Sequence, residues 1–294
     1  SRGSQVALTL RAVCGLTAEQ IAAAYLVPPR TMAQRLSRAR AMLRTAGARF
    51  VMPTGEDLPD RVAAVLDVCH LMFNEGYTRA AGDVLTDASL SSEAIRLTRW
   101  LHAALPDHDE IAGALALMLL THARTAARTD EDGDLIPLAG QDRRLWDADL
   151  IAEGVGILER VLPSGPVGRF QIHAAIAAVH AEAQAWEHTD WLQVSLLYAM
   201  LERVAPSPAV TLNHAVAVGM SSGPADGLAM VEPLLDDPTM RRHHRVHAVR
   251  AHLLEMAGDV AGAAGAYQRA AQLTASLPEQ RYLNHRRQEL DAPG

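Results

Sequence analysis

The chain has 294 residues, more than one hydrophobic core usually spans, so we expect two domains. Its apolar content of 49% with only 4% aromatic residues indicates a folded, helix-rich protein. The net charge is −7, and the longest apolar run, residues 111–120, is about half the length that a bilayer span requires. Because the N-terminus also has no signal-peptide pattern, we expect neither export nor a membrane anchor, and a cytoplasmic location is predicted.

The charge is distributed unevenly along the chain. Residues 1–55 hold eight arginines and one glutamate, a net charge of +7, whereas the rest of the chain has a net charge of −14. The alternative interpretation is a solvated basic helix that caps a bundle, but such a helix normally mixes its charge signs. A small module of one sign therefore indicates a polyanionic partner.

The first predicted elements form a helix-turn-helix. Thr17 is a suitable N-cap, and Gln20 three residues later completes a capping box. Pro28 and Pro29 end this helix, because proline lacks an amide proton, and they suit the start of the next one. Leu26 stands where many such turns have glycine, so we expect a turn geometry that differs from the common one.

The second helix of this motif is predicted to present a basic outer face. Its apolar residues recur at spacings of four, three and four and form one stripe, namely Met32, Leu36, Ala39 and Leu43. The residues on or beside the outward face, predicted to contact bases and phosphates, are Arg30, Thr31, Gln34, Arg35 and Arg38. Three further arginines continue the basic run, at Arg40, Arg44 and Arg49.

A change from basic to acidic composition marks the predicted domain boundary. A linker at residues 51–59, with prolines, a glycine and two acidic residues, separates a DNA-binding domain at 1–50 from an extension at 60–294. The extension has a helical period and no predicted strand, so the predicted fold class is all-α. Its predicted helices span residues 60–75, 91–104, 108–128, 145–162, 168–187, 190–204, 208–221, 225–235, 241–257, 260–274 and 278–290.

The last helices contain a degenerate repeat. Six residues have the spacings of the tetratricopeptide signature, namely Ala251, Leu254, Gly258, Ala263, Tyr267 and Ala270. A weaker copy lies thirty-six residues earlier, at Ala215, Val218, Ser222, Gly227, Val231 and Leu234. These matches predict a tetratricopeptide-like bundle or solenoid, and an irregular helical bundle without true repeats is the alternative.

Two interpretations are open for the sequence FNEGY. In the first, Asn74, Glu75 and Tyr77 belong to a partner or regulatory surface. In the second, Gly76 simply ends an apolar helix and Glu75 is a surface carboxylate.

Two blocks combine arginine or aspartate with tryptophan. Because arginine and tryptophan are enriched at interface hot spots, the predicted partner or regulatory surface also includes Asp142, Arg143, Trp146, Asp190 and Trp191. The alternative is structural, with an internal ion pair in the first block and a simple helix start in the second.

No metal site, cofactor site or catalytic site is predicted. His243 and His247 are one helical turn apart, but arginines surround them and no glutamate lies between them as in a metalloprotease helix. His173 and His180, on an apolar helix, are expected in the core or at an interface. Because the sequence also has no nucleophile elbow, phosphate loop or paired cysteine motif, the chain is not expected to be an enzyme.

Taken together, these segments resemble the extracytoplasmic-function RNA polymerase sigma factors that have a long C-terminal extension with tetratricopeptide-like repeats. The segment SQVALTLRAVCGLTAEQIAAAYLVPPRTMAQRLSRARAML resembles their fourth conserved region. The segments that resemble blocks of the extension are HLMFNEGYTRAAGD, LALMLLTHARTAAR, GQDRRLWD, FQIHAAIAAVHAEA, TDWLQVSLLYAML and LNHAVAVGM. The resemblance covers nearly the whole chain.

The resemblance implies that the second helix binds the promoter element at minus thirty-five and that the domain rests on the flap of the polymerase beta subunit. The implied partners are promoter DNA, the RNA polymerase core, and either a regulatory protein or the N-terminal sigma domain. That N-terminal domain melts promoters and has no counterpart in this sequence, so we expect the chain to be a fragment. The alternative function is a helical module that binds a peptide or ligand without DNA specificity of its own.

Overall fold

The computed structural model describes residues 1–47 and 55–291. In these ranges the chain forms fourteen α-helices, and the predicted all-α fold class is confirmed. The helices are α1 (Arg2–Ala12), α2 (Ala18–Ala24), α3 (Pro29–Thr45), α4 (Leu58–Tyr77), α5 (Ala88–Ala104), α6 (Asp109–His122), α7 (Ala148–Val161), α8 (Arg169–Glu182), α9 (Trp191–Val204), α10 (Pro208–Ser222), α11 (Pro224–Asp236), α12 (His244–Met256), α13 (Val260–Leu273) and α14 (Leu277–Asp291). Arg49 and the first part of the predicted linker lie outside the described residues.

The described residues form two compact units. The first lies within Ser1–Ala80 and Thr86–Ala104 and contains α1 to α5, and the second lies within Ala81–Leu85 and Leu105–Gly294 and contains α6 to α14. In the first unit α1 packs against α3 and α4, and α4 packs along α5. The division into a domain at 1–50, a linker at 51–59 and an extension at 60–294 stays a prediction.

The second unit is built around α6 and then continues as a succession of helices. Ile111, Leu115 and Leu119 of α6 are at most 2% exposed, because α7 and α8 both pack against this helix. A helix that is apolar all round is expected at the centre of a core. From α8 to α14, each helix packs against the next one along the chain.

Two of the predicted helices end more than one residue earlier than the apolar pattern suggests. The predicted helix 108–128 ends as α6 at His122, and the predicted helix 168–187 ends as α8 at Glu182; a short 3-10 helix follows in each case. Periodicity alone locates helix ends poorly, because apolar residues in the following turn extend the pattern.

A short parallel strand pair corrects the prediction that the chain has no strand. Strand β1 (Ala81–Gly82) pairs with strand β2 (Ala275–Ser276), with Ala81 opposite Ala275 and Gly82 opposite Ser276. Two residues are too few to show an alternating pattern, so the sequence contains no signal for this pair.

Small residues allow the helices of the last hairpins to approach closely. A Cβ atom at Gly227 of α11 would lie 2.7 Å from the carbonyl oxygen of Ala215 in α10. Between α12 and α13, Gly258 adopts a φ of +80°, which favours glycine. Five of the six residues in the predicted repeat at 251–270 are buried in one cluster at this hairpin, namely Ala251, Leu254, Ala263, Tyr267 and Ala270.

Candidate functional site

The helix-turn-helix begins with the predicted capping box. The Thr17 backbone N–H donates to Gln20 Oε1 at 2.7 Å, and the Gln20 N–H donates to Thr17 Oγ1 at 3.2 Å. These two bonds satisfy amide groups that the first turn of a helix leaves without partners. Ile21 and Ala22 of α2 are then buried against the rest of the unit.

In the turn between α2 and α3, Leu26 has a strained backbone conformation. Leu26 has a φ of +52°, the only positive φ at a non-glycine position among the described residues. It therefore adopts the left-handed conformation that glycine ordinarily supplies, at a cost of about 1 to 2 kcal/mol. Pro29 then occupies the first turn of α3, as predicted from its fixed φ.

The apolar stripe of α3 is buried in its first half and exposed toward its end. Met32 and Leu36 are 0% and 3% exposed, whereas Leu43 at the end of the predicted apolar stripe is 47% exposed. Ala39 is half-buried. The predicted stripe therefore contacts the core only over its first two turns.

Four of the five predicted DNA-contacting side chains are exposed, namely Arg30, Thr31, Gln34 and Arg38. Arg35 differs, because it is half-buried and its guanidinium carbon lies 5.7 Å from the centre of the Tyr25 ring. The Tyr25 hydroxyl donates in turn to the Gly3 carbonyl at 3.3 Å, and burial raises the pKa of Tyr25 to about 12. This contact holds Arg35 against α1 and α2, so its side chain is less free than its neighbours to reach a base.

An apolar groove of about 1380 Å³ opens beside α3, between α1, α4 and α5 of the same unit. The large apolar side chains that line it and remain exposed are Val13, Met42, Leu43, Val65 and Trp100. Arginines also line the groove, at Arg35, Arg38 and Arg61. A contiguous exposed apolar surface with a basic edge is typical of a site for another protein.

The FNEGY segment does not end its helix at glycine, which corrects one of the two interpretations. Helix α4 continues through Gly76 to Tyr77, and the backbone of α5 lies against Gly76. Asn74 Nδ2 is 3.1 Å from His70 Nε2, and the Tyr77 ring stacks on Phe73 with centroids 5.7 Å apart. Glycine is needed here for the close approach of α5 and not to end the helix.

Glu75 is buried and not a surface carboxylate, since only 7% of the residue is exposed. Its Oε1 accepts a hydrogen bond of 2.9 Å from Gln20 Nε2, and its Oε2 accepts one of 3.4 Å from the Ala80 amide. Burial raises the pKa of Glu75 above its ordinary value, although these hydrogen bonds oppose the shift. The capping-box residue Gln20 thus joins the helix-turn-helix to α4. The membership of Asn74, Glu75 and Tyr77 in a partner surface stays a prediction.

When Glu75 is replaced with glutamine, the free energy of unfolding should fall less as the pH rises. Between the ordinary pKa of 4.5 and the raised native pKa, the folded chain binds more protons than the unfolded chain, so the contribution of Glu75 to stability falls with rising pH. Glutamine has no such window but can still accept from Gln20. Denaturant unfolding of the wild type and the variant between roughly pH 4 and pH 8 measures their free energies of unfolding. The variant's advantage over the wild type should grow with pH and then level off. A difference that is constant with pH would contradict the assignment.

The first arginine and tryptophan block contributes both surface and buried side chains. Asp142 caps a short 3-10 helix through the Arg144 amide at 3.0 Å and pairs with the Arg144 side chain, as the structural interpretation expects. Arg143 instead donates from Nη1 to the carbonyl oxygens of His180 at 2.6 Å and Ala183 at 2.7 Å. Trp146 is only 7% exposed.

The second block lies against the same part of α8. Asp190 caps α9 through the Gln193 amide at 2.9 Å, which is the simple helix start of the structural interpretation. The Trp191 ring is 5.3 Å from the His180 ring and 4.8 Å from the Trp186 ring, edge-on in both cases. His180 therefore contacts the residues of both blocks, and the partner role of Asp142, Arg143, Trp146, Asp190 and Trp191 stays a prediction.

Arg124 and Trp186 also lie at this location, and no pattern in the sequence predicts them there. The Arg124 guanidinium carbon lies 5.8 Å from the centre of the Trp146 ring, and that of Arg143 lies 4.4 Å from it. Arg124 is half-buried and belongs to the segment THARTAAR, where the apolar pattern gives no sign that an arginine contacts a buried tryptophan.

The described ranges contain no group of three or more histidine, cysteine, aspartate and glutamate side chains that could hold a metal ion. The His243 ring stacks on His244 with centroids 4.8 Å apart, and His247 Nε2 lies 2.8 Å from the Arg241 carbonyl oxygen. None of the helices in those ranges has both the length and the apolar character needed to cross a membrane.

Comparison with known proteins gives two family matches, and the first of them supports the helix-turn-helix. Residues 1–43 match the family described as Sigma-70, region 4, and this part of the chain is therefore a sigma-factor-like helix-turn-helix. Residues 61–162 match a family of unknown function, DUF6596. No solved structure matches the chain.

The chain is 43% identical over 287 residues to an uncharacterized protein of Rhizobium meliloti (strain 1021). The aligned region covers 98% of this chain and 67% of that protein. The chain belongs to the same family as this protein.

Proposed function

We propose that the chain acts in transcription initiation and that α3 binds promoter DNA at the minus thirty-five element. The observation that supports this most directly is the match of residues 1–43 to Sigma-70, region 4, on a capped helix-turn-helix whose second helix is exposed and basic. A helix of this kind enters the major groove and contacts base edges with residues of its first turns.

The electrostatics of α3 support the same proposal. The helix contains five arginines and no acidic residue, and all of them except Arg35 are exposed. Arginine side chains that neutralise phosphates release counterions, which makes binding strong and dependent on salt. Of the predicted set, Arg30 and Gln34 are the best placed to contact bases, because both are exposed near the start of the helix.

The apolar groove beside α3 supports a second part of the proposal, association with RNA polymerase. We assign this groove to the flap of the beta subunit, in line with the resemblance of the segment to the fourth sigma region. Val65 and Trp100 are 45% and 64% exposed and present the apolar surface that a protein contact would cover.

A third part concerns the extension, which we propose to be a tetratricopeptide-like scaffold. The sequential packing of α8 to α14 and the close approach of α10 and α11 at Gly227 support this assignment. Such a scaffold offers a surface for a regulatory protein or for other sigma domains.

Replacing Gln34 with alanine should weaken binding to a specific site by about 1 to 3 kcal/mol, roughly 5- to 150-fold, because a bidentate contact to a base is lost. The site is first selected from random DNA with the wild-type chain, and binding is then measured by fluorescence anisotropy on the selected site and on random DNA. Binding of random DNA should change little. If no sequence is enriched in the selection, the proposal of specific DNA recognition fails.

Two control variants distinguish the base contact of Gln34 from phosphate contacts and from the contact with polymerase. Arg44 is exposed near the end of α3, so Arg44→Ala should weaken binding to both DNAs equally and reduce the salt slope by about 1. Val65→Glu places a charge in the groove on α4 and should reduce co-purification with core polymerase while DNA binding is unchanged. Loss of DNA binding by Val65→Glu would show that the groove is not a separate contact.

A further inference from the structure

The second unit contains two arginines that face one tryptophan without an acidic partner. Within the described part of the chain, neither Arg124 nor Arg143 has a carboxylate oxygen within ion-pair distance. Both guanidinium groups lie over the Trp146 ring, at 5.8 Å and 4.4 Å from its centre. Glu187 opposes the effect of Arg124 on Arg143 through its charge, without an ion pair. Both arginines are half-buried, and a positive charge that is partly removed from water is costly unless an anion compensates it.

Hydrogen-bonding atoms without protein partners lie at the same place. Among the described residues, Arg143 Nη2, Trp146 Nε1 and His180 Nδ1 are buried and have no partner. Arg143 connects the residues that carry these atoms, because its guanidinium contacts the Trp146 ring and its Nη1 donates to the His180 backbone carbonyl. Buried polar groups are normally satisfied, so three unpartnered positions beside two cations point to a ligand.

The protonation behaviour of the cluster agrees with its positive field. Burial, together with the nearby Arg124 and Arg143, lowers the pKa of His180 to about 4, so the imidazole is neutral near pH 7. Burial and then Arg124 lower the pKa of Arg143. Each shift has the sign expected for a site where negative charge is lacking.

From this geometry, we propose that Arg124, Arg143, Trp146 and His180 form a binding site for an oxyanion, the phosphate or carboxylate group of a small molecule. The guanidinium groups compensate its charge, and the free Nη2 of Arg143 and the Trp146 indole N–H donate to its oxygens. Arginine suits this role, because its planar fork matches carboxylate and phosphate geometry. The site lies in the second unit and is independent of the DNA-binding proposal, so either can fail alone.

The test uses the full chain labelled with ¹⁵N in its tryptophans. The indole N–H signals are recorded while inorganic phosphate or acetate is added in the millimolar range at constant ionic strength, with chloride as the reference salt. The four tryptophans give four signals, and Trp146→Phe assigns the one of interest. The Trp146 signal should shift with saturation for at least one oxyanion, whereas Trp100, exposed in the first unit, should not respond.

Arg124→Gln is the decisive variant. Among the described contacts, its side chain makes only the ring contact with Trp146, so the change should leave the fold intact and relieve repulsion with Arg143. The melting temperature without added oxyanion should be equal or higher, while the affinity for phosphate or acetate should fall by about tenfold or more. Arg144→Gln is the matched control, because Arg144 is exposed and paired with Asp142.

Three outcomes would overturn the inference. The first is the absence of a saturable shift of the Trp146 signal with either oxyanion. The second is an equal loss of affinity in Arg144→Gln and Arg124→Gln, which would indicate general charge attraction. The third is an unchanged affinity in Arg124→Gln. A response to phosphate alone would assign the site to phosphate-bearing molecules, and a response to acetate alone to carboxylates.

Discussion

Replacing Gly76 with alanine should destabilise the first unit by about 1 to 3 kcal/mol, at the upper end of this range. An added Cβ would overlap the Ser91 amide nitrogen and lie 2.9 Å from the Asp87 carbonyl oxygen. Both atoms belong to the backbone at the start of α5, so no side chain can move aside to make room. The Asp87 amide also donates to the Gly76 carbonyl at 2.7 Å, and this bond would lengthen as the helices separate. Denaturant unfolding of the purified variant measures the effect.

Gly3→Ala is the matched control for this experiment. Gly3 also lies inside a helix of the first unit, but its added Cβ would meet only Tyr25 Cε1 at an ordinary 3.7 Å. Because alanine is the better helix former, this variant should be as stable as the wild type or more stable, by up to about 1 kcal/mol. Equal stability of Gly76→Ala and Gly3→Ala would show that the α4 and α5 backbones are not in close contact at this point.

Replacing Ala263 with leucine should cost about 1 to 3 kcal/mol by overpacking the seam between α12 and α13. Ala263 is 0% exposed in a cluster with Ala251, Leu254 and Tyr267. The Tyr267 hydroxyl is fixed by a hydrogen bond of 2.8 Å to Glu255, so this ring cannot easily yield. Thermal unfolding followed by circular dichroism should show a lower melting temperature.

Ala261→Leu separates overpacking from the general effect of a larger side chain. Ala261 lies in the same helix, two residues earlier, and is exposed. Leucine at this position should therefore change stability by no more than about 0.5 kcal/mol. A neutral result for Ala263→Leu as well would mean that the seam tolerates larger residues, and the proposed tetratricopeptide register would lose its main support.

The helix-turn-helix is predictable because its determinants are close in sequence. The capping box joins Thr17 to a residue three positions away, and Pro29 acts on its own turn. The exposed basic face of α3 follows from the spacing of Met32 and Leu36. The same spacing fails at Leu43, because burial there would require a neighbouring helix that the described structure does not supply.

The approach of α5 at Gly76 and the burial of Glu75 cannot be predicted from the apolar pattern of the sequence. A glycine near the end of an apolar helix ordinarily indicates a helix stop, and only the approach of α5 explains why α4 continues past it. A glutamate at such a position is usually exposed. Its burial depends on Gln20, fifty-five residues earlier in the chain, which the periodicity of either helix cannot reveal.

The sequence by itself determines the helical class of this protein, the starts of α2 and α3 and the concentration of positive charge on α3, since each depends on residues within a few positions of one another. Tertiary structure alone decides which polar side chains are buried together. Arg143 donates to the His180 carbonyl, thirty-seven residues away, and the same guanidinium contacts the Trp146 ring. Such contacts arise from the packing of whole helices, and the local pattern of each helix is the same whether or not they form.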